Sequence, residues 1–159
     1  MFRWGPDDVV RVIAGEYDIS RHRTWHGDWE ELMATLAGLA ETSGREIAQL
    51  LRQRAQAIVA RPVPPADFDA MDAVMALLQD LDLGQGDAWA ASLLGLAEVF
   101  EHDGPAIARS LEAQIRDARW ASGRCPECGG PLDEDRWNEG FRPLEGRVCA
   151  ACGVVFRRD

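Results

Sequence analysis

Cys125-Pro126-Glu127-Cys128-Gly129-Gly130 and its echo Cys149-Ala150-Ala151-Cys152-Gly153 decide how the end of this 159-residue chain folds. All four cysteines lie in these two pairs, with twenty residues between them. Two residues between sulfurs let one tight turn aim both thiolates at a single ion, and a second such turn folded against the first closes a tetrahedron. Gly129 and Gly153 follow the pairs. Lacking a Cβ, they can enter the left-handed region that turns backbone N–H groups towards the sulfurs. The spacing predicts Cys125, Cys128, Cys149 and Cys152 as the four ligands of one zinc ion. A closed set of this kind builds structure and leaves no ligand position for a reaction. Iron uses the same four sulfurs, and sequence separates the two metals poorly. Disulfides would require an oxidising compartment, and nothing in the sequence points to export. A redox Cys-x-x-Cys usually stands alone beside a βαβ pattern, which this sequence lacks.

Residues 125–156 resemble the zinc-ribbon family, in which two such knuckles ride on a short β-hairpin and a third strand. The resemblance covers the last fifth of the chain. It implies a module that works inside larger assemblies, transcription and nucleic-acid machinery among them.

The rest of the chain is long enough for one good core. Met1 to Asp8 hold an arginine and two aspartates without an apolar run, so no signal peptide is expected. The most apolar stretch, Ala88 to Ala97, is too short for a membrane span and is interrupted by Ser92 and Gly95. The expectation is a soluble, cytoplasmic protein with no membrane partner. Lysine is absent, which rules out Schiff-base chemistry through a lysine and fits a GC-rich genome. Residues 1–121 carry 11 arginines against 20 acids, whereas 122–159 carry 6 against 7. An acidic body repels phosphate backbones and suits a basic partner, although solubility alone accounts for acidity of this size.

Before residue 125 the apolar period is helical. Gly5-Pro6-Asp7-Asp8 starts one helix. Asp28 to Glu31 reads as a capping box ahead of Leu32, Met33, Leu36 and Leu39. Ser43 to Glu46 repeats the signal for a third helix that runs to Pro62. Pro62-Val63-Pro64-Pro65 is a stiff connector. Asp67 is expected to cap a fourth helix reaching Asp82, with Asp69, Asp72, Asp80 and Asp82 on its outer face. Asp87 starts a fifth, and His102-Asp103-Gly104-Pro105 turns the chain into a sixth that ends near Trp120. Ala121-Ser122-Gly123 is a hinge. The fold class is therefore mainly α: an antiparallel helical bundle of five or six helices over 1–121, followed by a small C-terminal β zinc ribbon over 122–159. Within the ribbon, Asp133-Glu134-Asp135 reads as a hairpin tip or solvated loop. Val148 and Val154 to Phe156 read as strands, and Trp137 and Phe141 as cover for the small core.

Among the side chains that bear chemistry, His22, His26 and Glu30 are spaced for one helical face. Gly27 and the cap at Asp28 argue against a helix beneath them. The segment from Arg21 to Trp29 contains residue types favoured at interfaces, and two roles stand open for it: a contact surface, or a loop whose tryptophans plug the bundle end. His102 reads as a helix-end residue. The signatures of serine hydrolases, phosphate loops, dinucleotide folds and His-Glu-x-x-His metallopeptidases are absent. The function expected is a non-enzymatic interaction or adaptor protein whose acidic bundle docks on a protein partner. The alternative is a nucleic-acid role in which Arg136, Arg142, Arg147, Arg157 and Arg158 meet phosphates. A small carboxylate-based enzyme ranks behind both, since no acid pair stands out by spacing.

Overall fold

A computed structural model of the chain describes residues 3–139 and 141–158, with the side chains of all of these except 26, 137–139 and 142. It divides into two compact units, Met1–Glu112 and Ala113–Asp159. The chain is mainly helical, with α1 (Pro6–Ile13), α2 (His26–Thr42), α3 (Gly44–Ile58), α4 (Ala70–Leu77) and α5 (Asp87–Ala121). A small antiparallel sheet of β1 (Leu132–Glu139), β2 (Arg142–Cys149) and β3 (Val155–Arg157) follows in the order β1-β2-β3. Among the described residues, no helix is long and apolar enough to cross a membrane.

The helix starts follow local chemistry, in two places at a different residue from the one expected. Pro6 opens α1, and the Asp8 carboxylate takes the Gly5 N–H at 2.8 Å. α2 begins at His26, so Asp28 lies inside its first turn, where a negative charge still faces the helix dipole. α4 starts at Ala70 and not after Asp67. Asp69 and Asp72 accept each other's backbone N–H at 3.0 and 2.9 Å, a reciprocal cap that Asp67 has no partner to form. Residues 63–69 form neither helix nor strand, and the Ala66 N–H donates to the Ala91 carbonyl at 2.9 Å.

α4 also ends earlier than expected. Gln79 adopts φ 62°, which breaks the helix, while Arg23 Nη2 donates to the Leu78 carbonyl at 3.0 Å. The expected fifth and sixth helices run together as α5, 35 residues with a non-helical break at Asp103 (φ −126°, ψ 24°). Pro105 supplies no N–H and crowds the preceding turn, so the first helical stretch ends at Asp103 and a second begins beyond it.

The core of the first unit is built from Val9, Val12, Met33, Leu36, Ile47, Leu51, Val74, Leu77, Leu93, Leu96, Phe100 and Ile107, each at most 3% exposed. α1 packs against α2, α3 and α4. Three glycines let backbones touch. A Cβ on Gly44 would collide with the Phe100 carbonyl oxygen, and one on Gly104 with that of Ala40. One on Gly95 would collide with the Ala66 carbonyl oxygen and lie 3.0 Å from the Phe68 ring. The α2–α3 corner thus seats directly on the kink of α5.

In the second unit β1 and β2 form an eight-pair ladder from Leu132↔Cys149 to Glu139↔Arg142. β3 adds Gly146↔Arg157, Arg147↔Phe156 and Val148↔Val155. The acidic run Asp133 to Asp135 is not the hairpin tip but the body of β1. Arginines offset part of its charge: Glu134 Oε1 lies 3.2 Å from Arg147 Nε and 3.6 Å from Arg158 Nη2. Phe141 does not cover a core either; it is fully exposed between the two long strands. The side chains of Trp137 and Arg142 lie outside the described set.

Candidate metal centre

The two cysteine pairs fold into turns with the same hydrogen bonds. In the first, the Gly129 N–H donates to the Cys125 carbonyl at 2.7 Å and the Cys125 N–H to the Gly130 carbonyl at 2.8 Å. In the second, the Gly153 N–H donates to the Cys149 carbonyl at 2.9 Å and the Cys149 N–H to the Val154 carbonyl at 3.0 Å. Gly129 and Gly153 sit at φ 74° and 76°, the left-handed conformation expected of them. The backbone therefore repeats across 24 positions of sequence, although the sequences of the two turns share only their cysteines and glycines.

All four sulfurs meet. Cys125 and Cys152 place their Sγ atoms 3.7 Å apart, Cys128 and Cys149 3.3 Å apart, and each sulfur lies within 4.8 Å of the others. A tetrahedral ion with metal–sulfur bonds of about 2.3 Å has sulfur–sulfur edges of about 3.8 Å, so the cluster has the right size. All four thiols are free; Cys125 and Cys149 are buried, and Cys128 and Cys152 reach solvent.

The surroundings act on the thiols in opposite directions. Backbone N–H groups of Cys152 and Ala151 point at Cys149 and, with the neighbouring thiols, bring it down to about 6 despite its burial. The Gly130 N–H donates to Cys128 Sγ at 3.4 Å. That bond draws Cys128 down, but the adjacent Cys149 sulfur and desolvation raise it overall. The Val154 N–H pulls on Cys152 in the same way, yet desolvation and the other sulfurs push it up to about 12. Four thiols this close cannot all ionise on their own; a divalent soft cation removes that conflict, and the donor set fits a structural metal such as zinc.

Residues outside the motif support the cluster. Arg119, in the last turn of α5, donates from Nη1 to the Pro126 carbonyl at 3.1 Å. Its side chain also lies 3.4 Å from where a Gly129 Cβ would be. Trp120 meets the Phe156 ring at 5.3 Å and 61°, and the Arg147 guanidinium stands 4.7 Å from the Trp120 centroid. Gly130 closes the inner side: a Cβ there would lie 2.9 Å from Ala151 Cβ and 3.2 Å from Cys128 Sγ. Only the glycine pattern of these features is visible in the motif; Arg119 and Trp120 carry no signal in spacing.

The other sequence candidates behave differently. His22 sits in a single 3-10 turn, Ile19–His22, where Nε2 shares a hydrogen bond with the Tyr17 hydroxyl at 2.8 Å. Among the described residues, it joins no ligand group with Glu30, and the His26 side chain lies outside the described set. Trp25 is 69% exposed, so it plugs nothing, whereas Trp29 buries its Nε1 without a hydrogen-bond partner among the described residues. His102 immediately precedes the non-helical Asp103, so it ends the first helical stretch of α5, as expected. Its Nε2 lies 3.4 Å from Glu98, and Glu98, Glu101 and His102 gather ligand atoms as an exposed second group. Arg52 bonds both of those carboxylates, which accounts for their proximity without an ion. Comparison with protein-family models, with curated proteins and with solved structures finds no match for this chain.

Proposed function

We propose that the chain is a non-enzymatic interaction protein of the cytoplasm, in which the acidic helical unit docks on a protein partner and a zinc-held ribbon offers a second rigid surface. The observation that supports this reading is the sulfur cluster: its four donors gather within 4.8 Å of one another, and an ion held by four thiolates has no open position for substrate. A reducing compartment keeps those thiols available to the ion. Phe141, Val154 and Val155 are exposed on the same unit, as apolar contact residues would be. The nucleic-acid alternative draws less support, because Arg136, Arg147 and Arg158 are already paired with Glu145 and Glu134.

Affinity capture of the tagged chain from its source cell tests the proposal, with recovery of one stoichiometric protein as the expected result. A monodisperse monomer recovered alone counts against it, and a salt-sensitive shift with short duplex or single-stranded nucleic acid moves the assignment to the alternative.

A further inference from the structure

A cleft of about 590 Å³ in the first unit runs along one stripe of α2, from Asp28 and Glu31 past Thr35 and Gly38. Its floor is open: a Cβ on Gly38 would meet nothing within 4 Å, and the Thr35 hydroxyl turns back to the Glu31 carbonyl at 2.8 Å. Aromatic rings form its wall. Trp4 stands at 84° to Tyr17 with centroids 4.9 Å apart, and the His22 ring lies within 14° of the Tyr17 plane. The Tyr17–His22 hydrogen bond locks that plane in place. The result is a right-angled aromatic corner beside two carboxylates. Asp28 and Glu31 are exposed, and neither forms an ion pair among the described residues. Arg3 also lines the cleft, which leaves two formal negative charges against one positive.

We propose that this cleft binds an organic cation, its head against the Trp4–Tyr17 corner and its charge facing Asp28 and Glu31. Ring faces attract cations through their quadrupole, most effectively when the charge is spread over a poorly hydrated head such as a quaternary ammonium. The carboxylates add a longer-range attraction that a neutral molecule of the same shape does not feel. A site of this kind is independent of the metal cluster and of the docking role proposed above.

The test compares two probes of one shape on the intact chain. Choline and its uncharged isostere 3,3-dimethylbutan-1-ol are titrated at fixed ionic strength, following the backbone amide signals of Thr35 and Gly38 by NMR. Choline is expected to bind about tenfold more tightly than the alcohol. Asp28→Asn combined with Glu31→Gln is expected to remove the carboxylates' share of that difference, weakening choline while leaving the alcohol's binding unchanged. Both side chains are exposed, so the double variant leaves the core untouched. An acetylated, amidated tripeptide with a central trimethyllysine separates the sources: tighter binding than choline assigns the cation to a protein tail, weaker binding to a free small molecule. Equal binding of choline and the alcohol overturns the proposal, as does a choline response that never saturates at Thr35 and Gly38.

Discussion

Replacing Cys149 with serine is the sharpest perturbation the structure offers. Cys149 is the buried sulfur on which the Cys152 and Ala151 N–H groups converge, and its strand position pairs it with Leu132 at the base of the hairpin. Serine leaves three thiolates and an ill-matched hydroxyl, and structural four-thiolate sites lend on the order of 10 kcal/mol to their domains through the ion. That exceeds what a unit whose described side chains include Ile115 as the one fully apolar buried group, beside Cys125 and Cys149, can replace from its own core. The second unit should therefore unfold. The size of the spectroscopic change follows from where that unit begins. Ala113 to Ala121 belong to it, and these are about a tenth of the α-helical residues, so far-UV helicity should fall by about that fraction and no more. Near-UV dichroism from the Trp120–Phe156 pair should vanish, and chelation of the wild type should reproduce both changes. A loss of most of the helical signal would refute the reasoning, because the two units would then fold as one. Retention of the Trp120 signal with no bound metal would refute it from the other side, showing that the sulfurs do not hold the sheet.

Two further outcomes rest on the helical unit. Gly104→Ala should destabilise it by about 1–3 kcal/mol, because the new methyl overlaps the Ala40 carbonyl, whereas Gly38→Ala, in open space, should add roughly 0.5–1 kcal/mol; paired urea titrations decide the signs. Acidification supplies the other. Hydrogen bonds from Arg52 hold Glu101 below its ordinary value of 4.5, and Arg54 does the same for Glu16, so both contribute stability above that pH and lose it as the pH falls through their lowered folded values. Melting temperatures measured from pH 6 to pH 3 should fall, and Arg52→Gln should flatten the slope; a parallel curve for the variant would mean that this pair plays no part.

What could be read from the sequence divides along the range of the forces involved. The knuckles were legible because the backbone hydrogen bonds that close each turn lie within six residues: cysteine, two spacers, cysteine and a glycine at positive φ. The helices were legible as periodic apolar faces but not at their ends. Asp67 and Asp69 are equally good caps in isolation, and the reciprocal bond to Asp72 together with the Ala66–Ala91 contact selects the second. The kink in α5 shows the same limit. Gly104-Pro105 announces a break, but whether the chain turns or continues depends on Ala40 and Phe100, whose backbones press on Gly104 and Gly44 from far along the sequence. The acidic run of β1 misled for a related reason: three consecutive acids look like a loop until Arg147 and Arg158 arrive beside Glu134. The aromatic cleft is the extreme case. Trp4, Tyr17 and Asp28 share no motif, and only the fold of the first forty residues brings them to one wall. Chemistry assembled within one turn shows itself in a single sequence, whereas chemistry assembled between turns requires the packed chain, so new binding properties of this protein are to be sought at the second kind of place.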